Sequence, residues 1–83
     1  MNEIRDRLMS IVGYSGLNRV DFARHCDINY NTFSSCITGI REINLEIIQK
    51  VLAAYPEVEE GWLLLGRGFM FSAKVQAALR RNQ

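Results

Sequence analysis

An 83-residue chain with 48% apolar residues, 23% charged residues and a single proline has the composition of one small globular domain with a modest core, not of a disordered segment. No apolar run reaches membrane-spanning length, and the opening M-N-E-I-R-D-R-L lacks the apolar core of a signal peptide, which places the expected location in the cytoplasm. The net charge of +1 excludes a strong whole-chain attraction to polyanions, so any nucleic-acid binding has to come from a local face.

Residues 3–12 read as the first helix. Ile4, Leu8, Ile11 and Val12 share one side at helical spacing. Asn2 is the expected N-cap, Glu3 and Asp6 suit the positive end of the dipole, and Gly13 is the expected stop. Tyr14-Ser15-Gly16 is then a connector, and Leu17 an apolar latch against the next helix.

A second helix is expected over 19–26, capped by Asn18, with Phe22, Ala23 and Cys26 as its buried stripe. Asp27 falls at a bend, where a left-handed backbone favours glycine first and Asp or Asn next. Ile28 anchors the bend and Asn29 caps a third helix over 30–38. On that helix Tyr30, Asn31, Ser34, Ser35 and Thr38 fall within an arc of about 140°, with Phe33, Cys36 and Ile37 on the opposite side. An outer face of short, uncharged hydrogen-bonding side chains is suited to reading donors and acceptors. The same residues also serve simply as caps and local hydrogen bonders in a structural or protein-binding element.

The stretch 18–41 resembles the helix-turn-helix of the lambda-repressor and Cro-like (XRE-type) family. Leu17, Asn18, Phe22, Ala23, Ile28, Asn29, Thr32, Phe33, Ser34 and Gly39 stand at matching places. Arg19 replaces the usual glutamine, Cys26 a larger aliphatic residue and Asp27 the glycine of the bend. The resemblance implies that the third helix enters a DNA major groove while the second lies across the backbone. By position it gives Tyr30, Asn31, Ser34 and Ser35 as base-reading residues, with Asn31 best suited to a bidentate contact with adenine. Asn18, Arg19, Thr38 and Arg41, at helix ends or just beyond, are the phosphate-contacting candidates.

Asn44 is expected to cap a fourth helix through Ala54. Ile47, Ile48, Val51, Leu52 and Tyr55 lie on its apolar side, with Glu46, Gln49, Lys50 and Ala53 facing out. After the break at 55–58, residues 59–66 read as a short fifth helix with Trp62 as a core plug. The wording A-Y-P-E-V-E-E-G-W-L-L-L-G-R-G resembles the end of phage-repressor-like members. The expected architecture is therefore all-α: a five-helix lambda-repressor-like DNA-binding domain over 1–68 with a helical C-terminal extension over 69–83.

In that extension Ser72 caps a last helix with a narrow stripe of Val75, Ala78 and Leu79. The stripe either docks on the body of the domain or pairs with a second copy. Family members bind as dimers on two-fold half-sites, so the implied partners are double-stranded operator DNA with an inverted repeat and a second copy of the chain. Charge is unevenly spread: residues 42–60 hold five acids against Lys50, and 61–83 hold Arg67, Lys74, Arg80 and Arg81 with no acid.

Cys26 and Cys36 make neither a disulfide framework nor a zinc pattern and read as small buried hydrophobes. His25 has no nucleophile or acid pair beside it, and no phosphate loop or metal cluster is present, so neither enzyme activity nor a cofactor is expected. The expected function is sequence-specific transcriptional regulation, repressor-like. The alternative is an antitoxin or other interaction module built on the same scaffold, meeting a protein partner through 69–83.

Overall fold

The helices form where short polar caps meet apolar stripes. The computed structural model describes residues 3–81, and among them six helices follow in order. These are α1 (Ile4–Ser15), α2 (Arg19–His25), α3 (Tyr30–Ile37), α4 (Leu45–Ala54), α5 (Glu60–Leu65) and α6 (Ala73–Arg81). Asn18, Asn29 and Asn44 each accept a hydrogen bond from the backbone N–H three residues on, at 2.8, 3.2 and 3.0 Å. Each bond satisfies a donor that the first helical turn leaves without an intrahelical partner. Ser72 does the same for α6, accepting from the Val75 N–H at 3.2 Å. The all-α expectation holds. The sole β feature among the described residues is an isolated antiparallel bridge between Val58 and Phe71.

The core draws on α1 to α5. Leu8, Ile11, Phe22, Phe33, Cys36, Val51 and Leu63 are its largest fully buried side chains. Phe22 lies at its centre, stacked on Tyr55 at 5.7 Å and packed on Phe33 at 5.5 Å between ring centroids. Ala23 is fully buried beside it.

Several expectations need correction. α1 runs through Gly13, and the left-handed stop is Gly16, with φ +73° and its N–H bonded to the Gly13 carbonyl. The extra turn places Tyr14 edge-on to Phe71, and its hydroxyl donates to Glu57 Oε2 at 2.8 Å. Those tertiary contacts outweigh the small helix penalty of glycine at 13. Asn2 lies outside the described residues, and Glu3 takes the N-cap position without a side-chain cap bond. Leu17 is exposed and not part of the core, and its N–H donates to the Ser15 hydroxyl in the turn at 3.1 Å. Cys26 is the C-cap of α2, Thr38 the C-cap of α3 and Glu59 the N-cap of α5. Trp62 is only half-buried against the core; Leu63, the next residue on α5, fills it.

α6 forms as expected, held at its start by Ser72 and by the Gln76 side-chain amide, which donates to the Phe71 carbonyl at 2.8 Å. Met70 and Phe71 pack against the core, whereas Phe69 is exposed and none of the described α6 side chains packs there.

Candidate functional site

α2 and α3 are joined by four residues, Cys26 to Asn29, and backbone hydrogen bonds define the turn. The Asp27 N–H donates to the Arg24 carbonyl at 3.1 Å and the Ile28 N–H to the Ala23 carbonyl at 2.8 Å. Asp27 between them has φ +59°. This is the paired bonding of a Schellman ending, with Asp in the left-handed position and Ile28 buried against the helix it closes. α3 ends in the same way: the Gly39 N–H donates to Cys36 O at 3.3 Å and the Ile40 N–H to Ser35 O at 3.0 Å, with Gly39 at φ +86°.

The left-handed conformation costs a β-carbon-bearing residue more than glycine. Asp27→Gly is accordingly expected to stabilise the fold by roughly 0.5–1 kcal/mol, raising the thermal midpoint by roughly 3–6 °C. A lower midpoint on thermal melting would mean that the Asp27 side chain supports the bend.

Lys50 holds the bend from outside. Its Nζ donates to the Asp27 carbonyl at 2.7 Å and pairs with Glu46 one turn earlier at 3.4 Å. The expectation that Lys50 simply faces out is corrected: its stem is partly covered and its ammonium group bonds the Asp27 carbonyl of the turn. The sequence offered only the Glu46–Lys50 spacing, which reads as an ordinary pair along one helix face. α2 and α3 are therefore tied to each other and to α4, so the outer face of α3 is carried at a fixed angle.

On that face Tyr30 and Asn31 are exposed at the start of α3, and Ser34 and Ser35 are half-buried one turn on. The Asn31 carboxamide has no hydrogen-bond partner among the described residues, so its donor and acceptor are free for a ligand. The hydroxyls are less free. Ser35 Oγ donates to the Asn31 carbonyl at 3.0 Å, and Thr38 Oγ1 to the carbonyls of Ser34 and Ser35 at 2.9 and 3.2 Å. With their protons used inside the helix, both hydroxyls present acceptor lone pairs outward. Phe33 and Cys36 are buried and Ile37 packs on the core, as the periodicity requires.

Asn18 and Arg19 are exposed at the start of α2, and Thr38 and Arg41 are exposed at the end of α3. The Asn18 side-chain oxygen is committed to its cap, which leaves its amide group outward. Burial pushes the Cys26 thiol up to about 11 and raises that of Cys36, with the Arg41 charge partly opposing the latter. Both thiols are buried and free of disulfides, Cys36 Sγ donates to the Glu42 carbonyl at 3.5 Å, and near neutral pH both stay protonated, behaving as small hydrophobes.

Among the described residues no group of three or more His, Cys, Asp or Glu side chains gathers to hold a metal, and no helix is long and apolar enough to cross a membrane. No family model matches the chain, and comparison with curated proteins and with solved structures finds no match.

Proposed function

We propose that the chain is a sequence-specific DNA-binding transcriptional regulator of the lambda-repressor-like kind, acting by occupancy of operator DNA. One observation carries the reading: an uncharged donor-and-acceptor face on α3, anchored by Phe33 and Cys36 and held at a fixed angle to α2 by the Asp27 bend. A helix so mounted can enter a major groove and present Tyr30, Asn31, Ser34 and Ser35 to base edges. Asn18, Arg19, Thr38 and Arg41 then contact phosphates and set its register. A homodimer on an inverted repeat fits this reading, with exposed Leu65 and Phe69 and the α6 stripe as the pairing surface.

A second reading, an interaction module such as an antitoxin, is favoured by one feature. Val75 and Leu79 of α6 are not packed on the domain core and are open to a protein partner.

Selection of bound sequences from a random DNA pool, followed by affinity at several salt concentrations, tests the proposal. The expected result is an inverted-repeat motif with steep salt dependence; recovery of no motif at low salt would exclude sequence-specific reading. On the selected site Asn31→Ala is expected to cost roughly 1–3 kcal/mol and to relax base choice at one position. Arg19→Ala is expected to weaken all sequences alike. Equal losses on specific and unrelated DNA for both variants would remove the division between reading and positioning residues.

A further inference from the structure

A cavity of about 340 Å³ opens at the C-terminal end of α3, where the chain turns toward α4. Ile4, Cys36 and Ile43 wall it, and Arg5 and Arg41 reach it from separate parts of the chain. The guanidinium of Arg5, from the first turn of α1, lies where a β-carbon on residue 39 would stand. Glycine at 39 is favoured by its left-handed backbone at φ +86°, and its missing β-carbon leaves the space that the Arg5 guanidinium occupies. A side chain at 39 would make the Arg5 guanidinium shift.

Both guanidiniums are available. Arg41 is exposed and makes no side-chain hydrogen bond or ion pair among the described residues. Arg5 pairs only with Glu3, at 3.8 Å, with side chains 41% and 53% exposed. So long and so exposed a pair adds little stability and is readily exchanged. Glu3 and Glu42 also line the cavity, but both residues are exposed and their carboxylates are free to turn to water. Two guanidinium groups lining one cavity suit an oxyanion such as phosphate, which each planar fork can bind through two oxygens.

The location selects the source of that phosphate. α3 has eight residues, so its ends lie about 12 Å apart at about 1.5 Å per residue. Groups at its C-terminal end would meet a different backbone phosphate from those near its N-terminal, base-reading end. We propose that Arg5 and Arg41 jointly seat one DNA backbone phosphate beside Gly39, making Arg5 a positioning residue contributed by α1. This rests on the DNA-binding reading above and adds to it a contact from outside the two-helix unit.

The test compares wild type, Arg5→Gln, Arg41→Gln and the double variant on the selected site and on an unrelated duplex, across salt concentrations. Each single variant is expected to weaken both duplexes by the same factor and to leave the selected motif unchanged. If the two arginines share one phosphate, the double variant should flatten the salt slope by about 0.9 in total, with a loss of roughly 5–10-fold at about 0.1 M salt. A flattening of about 1.8 would assign them to separate phosphates, and no change for Arg5→Gln would remove Arg5 from the interface; either overturns the proposal. Arg5→Lys, which keeps the charge, should retain most of the slope, and unaltered thermal midpoints separate lost contact from lost fold.

A titration with inorganic phosphate alone, followed at the Gly39 amide by NMR, distinguishes a free anion. Saturation at sub-millimolar phosphate together with an unchanged DNA salt slope in Arg5→Gln would make the cavity an effector site and overturn the backbone assignment. Because the slope is also read on an unrelated duplex, failure to find a selected motif sinks the sequence-reading proposal and leaves this measurement intact.

Discussion

Phe22→Ala is expected to remove about 3–5 kcal/mol of folding stability, the largest effect of any single substitution considered. The ring is fully buried, lies at 7° to the ring of Tyr55 and packs on Phe33. Truncation therefore opens a cavity shared by α2, α3 and the end of α4. A chain of 83 residues has roughly 4–12 kcal/mol of total stability at about 0.05–0.15 kcal/mol per residue. A loss of that size leaves much of the population unfolded near physiological temperature if the chain lies low in this range. Urea or thermal melting followed by circular dichroism measures it, and Phe22→Leu, which keeps most of the volume, should lose under about 1.5 kcal/mol. A wild-type midpoint in Phe22→Ala would mean that the aromatic stack does not organise the core.

Arg7→Ala is expected to cost about 3 kcal/mol, combining lost charged hydrogen bonds with lost packing of the stem. Arg7 is only 6% exposed and lies among the core residues of α1. Its Nε–H donates to the Leu63 carbonyl at 2.9 Å and its Nη2 to the Leu64 carbonyl at 3.4 Å. The last intrahelical bond of α5 runs from the Gly66 N–H to the Trp62 carbonyl, so the Leu63 and Leu64 carbonyls just beyond it lack helical partners. The guanidinium supplies those partners and opposes the negative end of the dipole.

A helix of six residues does not persist without such an anchor. Arg7→Ala should therefore fray α5 and change the fluorescence of Trp62 before global unfolding. Arg7→Met keeps the stem and isolates the hydrogen bonds, with an expected loss of about 1–3 kcal/mol. If Arg7→Met matched wild type in both melting and fluorescence, packing alone would hold α5.

These two residues mark the limits of reading the chain by itself. Phe22 was legible as core because it shares a helical stripe with Ala23 and Cys26. Arg7 was not, since it falls on the same side as Leu8 and Ile11 only when its charge is ignored. Its partners lie 56 and 57 residues away. The boundaries of α1 and α5 failed in a related way. Gly13 and Gly16 are equally plausible stops by type, and Trp62 and Leu63 equally plausible plugs. The choice between them was made by Tyr14 reaching Glu57 and Phe71, and by the packing of α5 on α1, which Arg7 ties to the Leu63 and Leu64 carbonyls.

For the candidate site, the sequence by itself determined whatever depends on neighbours within one helical turn. That covers the caps at Asn18, Asn29 and Asn44, the left-handed Asp27, the buried Phe33 and Cys36, and the polar arc from Tyr30 to Thr38. A side chain bonding three residues along the chain is fixed by spacing alone. Only the tertiary structure decided which cations attend that unit: Lys50 on the Asp27 carbonyl and Arg5 over Gly39. A long flexible cation has many reachable partners in sequence, and which one it meets is set by where the chain returns when α1 and α4 pack around the two-helix unit.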